Sequence, residues 1–195
     1  MRFKDPQKEK QKSNLSRSAL RRQRDREHRY QTILRAAEAL ISTDGYHSAS
    51  IEQIADKAEV SVGTVYFYFK NKEDLLVQLL DEIGYQLRSI LGREFRKEDS
   101  SMAGIRNAGR VFFEEFCRLH PGRVAIIFRE SVGQGVRVEE HRKQIFHKLI
   151  SDVRKALERI GEAQDIEYQS RLSAEVMAVS IMGTFERIAY HYLIW

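Results

Sequence analysis

The sequence predicts an all-α protein, and three observations carry that prediction. Apolar residues recur at helical spacing from Tyr30 to the end of the chain, and strand-like alternation is hard to find anywhere. Proline is confined to Pro6 and Pro121, so little interrupts a helix. The breaks that do occur, at Asp44-Gly45, in "EVSVGT" and in "GQG" at 133–135, separate segments of helical length. With 195 residues, 42% hydrophobic and 31% charged, the chain is globular in composition and holds one ordinary domain, or a small one leaning on a larger one.

Several function classes are excluded early. No window approaches the roughly 20 apolar residues that cross a bilayer, so no membrane partner is expected. The start, "MRFKDPQKEKQKSNLSRS", has charge but no apolar segment and does not read as a signal peptide. Cys117 is the only cysteine, which cannot make an internal disulfide and fits a reducing cytoplasm. There is no Gly-rich phosphate loop, no nucleophile elbow and no His-Glu-x-x-His, so an enzyme is not expected. His141 and His147 are six apart and do not share a helix face, so neither a metal nor a cofactor is expected.

Charge is placed unevenly. Residues 1–26 hold ten Lys or Arg against three acids, a net +7, and the remaining residues hold 23 bases against 25 acids. Residues 1–27 therefore read as a basic, disordered arm on a near-neutral body. Such an arm suits a phosphate backbone, an acidic membrane surface or solubility alone.

From Tyr30 a helical period begins: Tyr30, Ile33, Leu34, Ala37, Leu40 and Ile41 share a face, and Gly45 supplies the left-handed turn that stops the helix. Ser50 is a good N-cap for a short second helix that buries Ile51, Ile54, Ala55 and Ala58. Ser61 caps a third, in which Val62, Val65 and Phe69 face inward while Gly63, Thr64, Phe67 and Tyr68 face outward, with Tyr66 on the flank. Asn71 caps a fourth, whose first turn carries Glu73 and Asp74 to suit the helix dipole. Two short helices joined by a tight turn after a longer support describe a helix-turn-helix. The aromatic run at 66–68 either packs on a neighbouring helix or presses on DNA. Adjacent helical residues cannot all face one core, so at least one ring stays exposed.

"TILRAAEALISTDGYHSASIEQIADKAEVSVGTVYFYFKNKEDLL" resembles the DNA-binding domain of the TetR family of transcriptional regulators over residues 28 to about 80. The resemblance implies that Thr64, Tyr66, Lys72 and Ser50 hold phosphates and that Gly63 and Phe67 face base edges. Tyr68 stands where the family commonly has histidine. Glu52 puts an acid on the exposed face of the second helix, where it accepts from a cytosine amine or repels phosphate. With Gln53 and Ser61, these ten residues are the expected DNA-binding set. The helix-turn-helix domain is expected over 28–72.

Residues 73–195 read as a helical regulatory and dimerisation domain. Leu75, Leu76, Leu79, Leu80, Ile83, Leu87, Ile90 and Leu91 form a seam ending near Gly92; Ile105 to Cys117 lie on the next helix; Pro121 opens another. A long helix carrying Ile145 to Ile160 is closed by Gly161, and the last runs from about Ile166 to the end. Phe112, Phe113, Phe116, Cys117, Ile127 and Phe128 cluster where the family resemblance implies a small-molecule pocket; the same residues also fit plain core. The resemblance places the dimer interface on the last two helices, at Val153, Leu157, Val176, Val179 and Gly183. The apolar ending "AYHYLIW" predicts a chain that continues beyond Trp195 or an end buried by a partner. The expected protein is thus a cytoplasmic, homodimeric repressor released from double-stranded operator DNA by an unknown apolar or amphipathic effector. The alternatives are a TetR-like DNA binder with no effector and a basic-tailed adaptor on a membrane surface.

Overall fold

Between Gln7 and Asp44 the sequence has neither glycine nor proline and is rich in Lys, Arg, Gln, Glu, Ala and Leu, the residues that lose least on entering a helix. The computed structural model describes residues 6–97, 101–170 and 172–193, with side chains from residue 17, and there that segment is one helix, α1, Pro6–Asp44. Residues 6–27, expected to be a disordered arm, are therefore its first half. Nucleation is the costly step of helix formation, and the packed second half supplies it, so strong helix formers extend the helix outward. The end of the chain at Trp195 lies outside the described residues.

Gly45 ends α1 at φ +87, with its N–H donating to the Ile41 carbonyl at 3.1 Å. Helix α2 follows at Ile51–Lys57, α3 at Val62–Tyr68 and α4 at Lys72–Lys97. The buried faces are those the spacing predicts: Ile33, Leu34, Ala37 and Ile41 on α1, Ile51, Ile54 and Ala55 on α2, and Val65 and Phe69 at α3. Every member of the α4 seam from Leu75 to Leu91 is buried. Helix α4 does not stop at Gly92 but runs on to Lys97, since a lone glycine costs a helix interior only about 1 kcal/mol.

Helix α5, Met102–Val111, passes without a break into a π-helical turn at Phe112–Cys117. Pro121 occupies the first position of α6, Pro121–Ala125, which likewise passes into a π-helical turn at Ile126–Glu130. Helix α7 spans Val136–Ala163 and α8 spans Ser173–Leu193. Gly161 does not close α7. It lies under the Tyr168 ring, whose hydroxyl donates to the Leu157 carbonyl at 2.8 Å, and a Cβ there would stand 2.8 Å from that ring. Helices α4, α5, α7 and α8 pack together, while α1 contacts α4, α6 and the turn at 126–130. No helix among the described residues is long and apolar enough to cross a membrane.

Candidate nucleic-acid interface

Both short helices are capped by a serine side chain at their N-terminus. Ser50 Oγ accepts from the Gln53 N–H at 3.1 Å, and Gln53 Oε1 accepts from the Ser50 N–H at 2.8 Å, a complete capping box. Glu52 turns back on the same helix end. Its own backbone N–H and the Ser50 hydroxyl hold its carboxyl below the usual glutamate range. Glu52 and Gln53 are thus engaged with their own helix terminus. On α3, Ser61 Oγ accepts from the Thr64 N–H at 3.1 Å and pairs with the Thr64 hydroxyl at 2.8 Å. A pair of hydroxyls therefore shares one hydrogen bond at the mouth of α3, leaving one hydroxyl hydrogen for a further acceptor.

The outer face of α3 is aromatic. Tyr66 is 51% exposed and Phe67 69%, with Gly63 exposed beside them. Tyr68 is half-buried, its ring 5.1 Å from that of Phe67 and 6.1 Å from that of Tyr30. Tyr30 also stacks on Phe69 at 5.2 Å and donates its hydroxyl to Gln78 Oε1 at 3.1 Å, tying α1, α3 and α4 together. Packing on α1 and exposure on α3 thus divide the run: Tyr68 goes inward, while Tyr66 and Phe67 face solvent.

Lys72 departs from the expectation. Its Nζ donates to the carbonyls of Tyr46 at 2.9 Å, His47 at 3.2 Å and Ala49 at 3.0 Å, and lies 4.5 Å from the Tyr46 ring centroid. An ammonium has three hydrogens, and all three are spent. Burial pulls its pKa below the ordinary lysine value. Lys72 is a clamp on the loop between α1 and α2 rather than a free cation aimed at phosphate.

Two further side chains join the helix-turn-helix to the larger domain. Glu130 Oε2 accepts the Tyr46 N–H at 2.9 Å. Arg123 on α6 donates to both carboxylate oxygens of Glu38 on α1, each at 2.9 Å, and also to Gln86 on α4, with Glu82 at 3.5 Å. These contacts link residues 84 and 85 apart, so no local pattern in the sequence announces them. Arg26, which lies in the basic segment outside the ten expected DNA-binding residues, stands with its guanidinium 5.5 Å from the Phe67 ring centroid.

The residues expected to line a pocket pack against one another in the core. Phe112, Phe116, Cys117, Ile127 and Phe128 are buried and Phe113 is packed against them. Phe112 stacks on Phe116 at 6.1 Å and on Phe185 of α8 at 5.6 Å, and a Cβ on Gly109 would meet the Phe185 ring at 2.8 Å. Phe128 turns to Phe146 on α7. An open groove of about 490 Å³ lies next door, between α4 and the α5–α6 connection, with Tyr85, Ile90, Arg93, Leu119, His120 and Arg123 among its walls. The His120 ring lies 6.3 Å from that of Phe116, between groove and core.

The proposed interface residues divide as well. Val153 and Leu157 are 3% and 1% exposed and belong to the core of this chain, because α7 spends its apolar face on its own neighbours. Val176 and Val179 are exposed on α8, and nothing lies within 4 Å of where a Gly183 Cβ would be.

Residues 33–79 match the family model of bacterial regulatory proteins, tetR family. The chain is 46% identical over 54 residues to the fatty acid metabolism regulator protein of Bacillus subtilis, covering 28% of each. It is 37% identical over 100 residues to the transcriptional repressor KstR of Mycobacterium tuberculosis, covering 51% of this chain and 40% of that one. The similarity to these curated relatives thus spans well under two thirds of their length. Among solved structures, FadR of Bacillus subtilis in complex with stearoyl-CoA superposes with a TM-score of 0.74 at 22% identity, over 85% of this chain and 87% of that one. AibR in complex with isovaleryl coenzyme A and operator DNA superposes with a TM-score of 0.67 at 20% identity, over 83% and 85%. These two likenesses concern the fold.

Proposed function

From the premise that this chain belongs to the TetR family of transcriptional regulators, we propose that it is a cytoplasmic, non-enzymatic repressor that binds operator DNA as a homodimer. The observation that carries this reading is the outward face of α3, where Tyr66 and Phe67 lie beside the Ser61–Thr64 hydroxyl pair. A helix of that kind enters a major groove, its apolar ring meeting a thymine methyl and its hydroxyls meeting phosphates. One such helix reads few base pairs, so two copies act together. The exposed stripe of Val176, Val179 and Gly183 on α8 is the surface on which they pair.

The effector we propose is an acyl thioester of coenzyme A. FadR and AibR each have such a ligand. In this chain, support comes from the groove by α4, which has Arg93, paired with Glu115, and Arg123, paired with Glu38 and Glu82, on its walls and adjoins the phenylalanine core through His120. An anionic headgroup competes with those carboxylates for the two arginines, and an acyl chain suits the core. The phenylalanine rings there pack on one another, so the chain enters by shifting Phe116 and its neighbours. The two π-helical turns there are segments in which the backbone has already left the α register. Because Arg123 also holds Glu38 on α1, a headgroup that draws Arg123 away loosens α1 from the regulatory domain. A ligand preferring the released state by 1–3 kcal/mol weakens DNA binding about 5- to 150-fold.

The test uses a duplex enriched by the protein from a random pool. Long-chain acyl-CoA should release it, whereas free coenzyme A should not. Release by neither would remove the effector reading and leave a DNA binder without one.

A further inference from the structure

Arg22, Arg26, Tyr30, Ile33 and Ala37 follow one another along α1 at spacings of four, four, three and four, and so lie on one stripe. Over the helix-turn-helix this stripe is apolar: Ile33 and Ala37 are fully buried and Tyr30 is wedged against Phe69. Beyond Tyr30 the same stripe turns basic, and every residue from 17 to 29 is exposed. That exposed segment carries Arg17, Arg21, Arg22, Arg24, Arg26 and Arg29 against Asp25 and Glu27. Asp25 lies 4.0 Å from Arg21, and Glu27 accepts from Gln31 at 3.3 Å.

The direction of the extension is set by the Tyr30 contacts, which hold it beside the C-terminal end of α3. An open groove of about 390 Å³ lies between the two helices, lined by Gln23, Arg26, Glu27, Tyr30, Phe67 and Tyr68. A helix seated in a major groove, about 12 Å wide, is flanked by a backbone strand on either side. An element leaving the domain beside the end of that helix meets one of those strands.

We propose that the groove between the α1 extension and α3 seats that sugar-phosphate strand, with Arg22 and Arg26 holding its phosphates. Arg26 is in addition a positioning residue: its guanidinium over the Phe67 ring holds the ring at the angle with which it meets a base. The partner is DNA by charge complementarity, since the segment is basic, exposed and adjacent to the reading helix. This rests on the DNA-binding reading above.

The experiment measures binding of the full chain to a duplex that the wild type enriches from a random pool, across a series of KCl concentrations. Arg22→Gln and Arg26→Gln each remove one phosphate contact per protomer, so each reduces the slope of log affinity against log salt by about 1.8 for the bound dimer, and the double variant by roughly twice that. Arg26→Gln also relaxes preference at the base pair whose preference changes in Phe67→Leu, and Arg22→Gln does not. The double lysine variant keeps the wild-type slope, which separates lost charge from misfolding. A double glutamine variant with wild-type slope and preference, or lysines that lose as much as glutamines, would overturn the proposal. If the wild type enriches no duplex at all, the DNA-binding reading has failed instead.

Discussion

The backbone N–H of Tyr46 donates to Glu130 at 2.9 Å, joining the loop behind α1 to the π-helical turn that ends at Glu130. On the other side of the same loop, Lys72 grips the Tyr46, His47 and Ala49 carbonyls. The loop that leads into α2 is therefore held from both domains at once. Glu130→Ala should lower stability to urea by about 1.5–3 kcal/mol, the range for hydrogen bonds to charged groups, with Glu130→Gln milder because an amide oxygen still accepts. Equal melts for Ala and wild type would show that the bond contributes nothing.

Lys72→Gln should cost stability while leaving the salt slope of DNA binding unchanged, because its hydrogens are already spent on carbonyls. A slope reduced by about 1.8, one contact from each protomer of the dimer, would instead restore Lys72 as a phosphate contact.

Much of the fold was legible because its signals are local. Ser50 and Ser61 cap the helices where a small hydroxyl precedes an apolar period, Gly45 takes the positive φ, and the α4 seam from Leu75 to Leu91 repeats at three and four. Composition misled at residues 6–27, where a basic polar run read as coil although most of it is Lys, Arg, Gln, Glu, Ala and Leu, all good helix formers. Gly92 and Gly161 read as stops, but one is tolerated within α4 and the other admits Tyr168. At the candidate site, period placed Phe67 outward as found, but it also put Tyr68 outward and Tyr66 on the flank, whereas packing on Tyr30 half-buries Tyr68 and leaves Tyr66 exposed. The engagement of Lys72 by three carbonyls was not legible, because it depends on how a loop 23–26 residues earlier folds back. Val153 and Leu157 lie on an apolar face whose partner, this chain or a second copy, period cannot distinguish.

Cys117 is buried, and burial pushes its thiol up to about 12. Little thiolate exists at neutral pH, and thiolate is the reactive form. A thiol reagent at pH 8 should therefore modify the native protein far more slowly than the protein in urea. Rapid modification of the native state would show that the phenylalanine core opens readily without an effector.

Burial pushes the Asp74 carboxyl up, but a hydrogen bond from Arg137 at 2.5 Å, the Lys70 N–H and their charges outweigh it and hold the group below the ordinary aspartate range. A depressed carboxyl contributes stability above its unfolded pKa, about 3.9, and loses it as pH falls through the folded value. The gap in stability between wild type and Asp74→Asn should be full at neutral pH and close as pH drops below 4. A gap independent of pH would show that packing, not charge, makes the difference.

Val179→Glu and Gly183→Leu should each shift the protein toward monomer in sedimentation with helical content unchanged, since both positions lie open on α8. A wild type that is monomeric at micromolar concentration would place the pairing surface elsewhere or remove it.

The central claim, that α3 reads DNA through its exposed rings, is tested most directly by recovering chromosomal fragments bound by wild type and by Phe67→Ala. The wild-type fragments should share a two-fold symmetric motif, with half-sites one helical turn or a small multiple of it apart. Phe67→Ala should lose that motif while keeping salt-sensitive binding to DNA in general. Fragments without a common motif, or the same motif recovered equally by Phe67→Ala, would contradict the account.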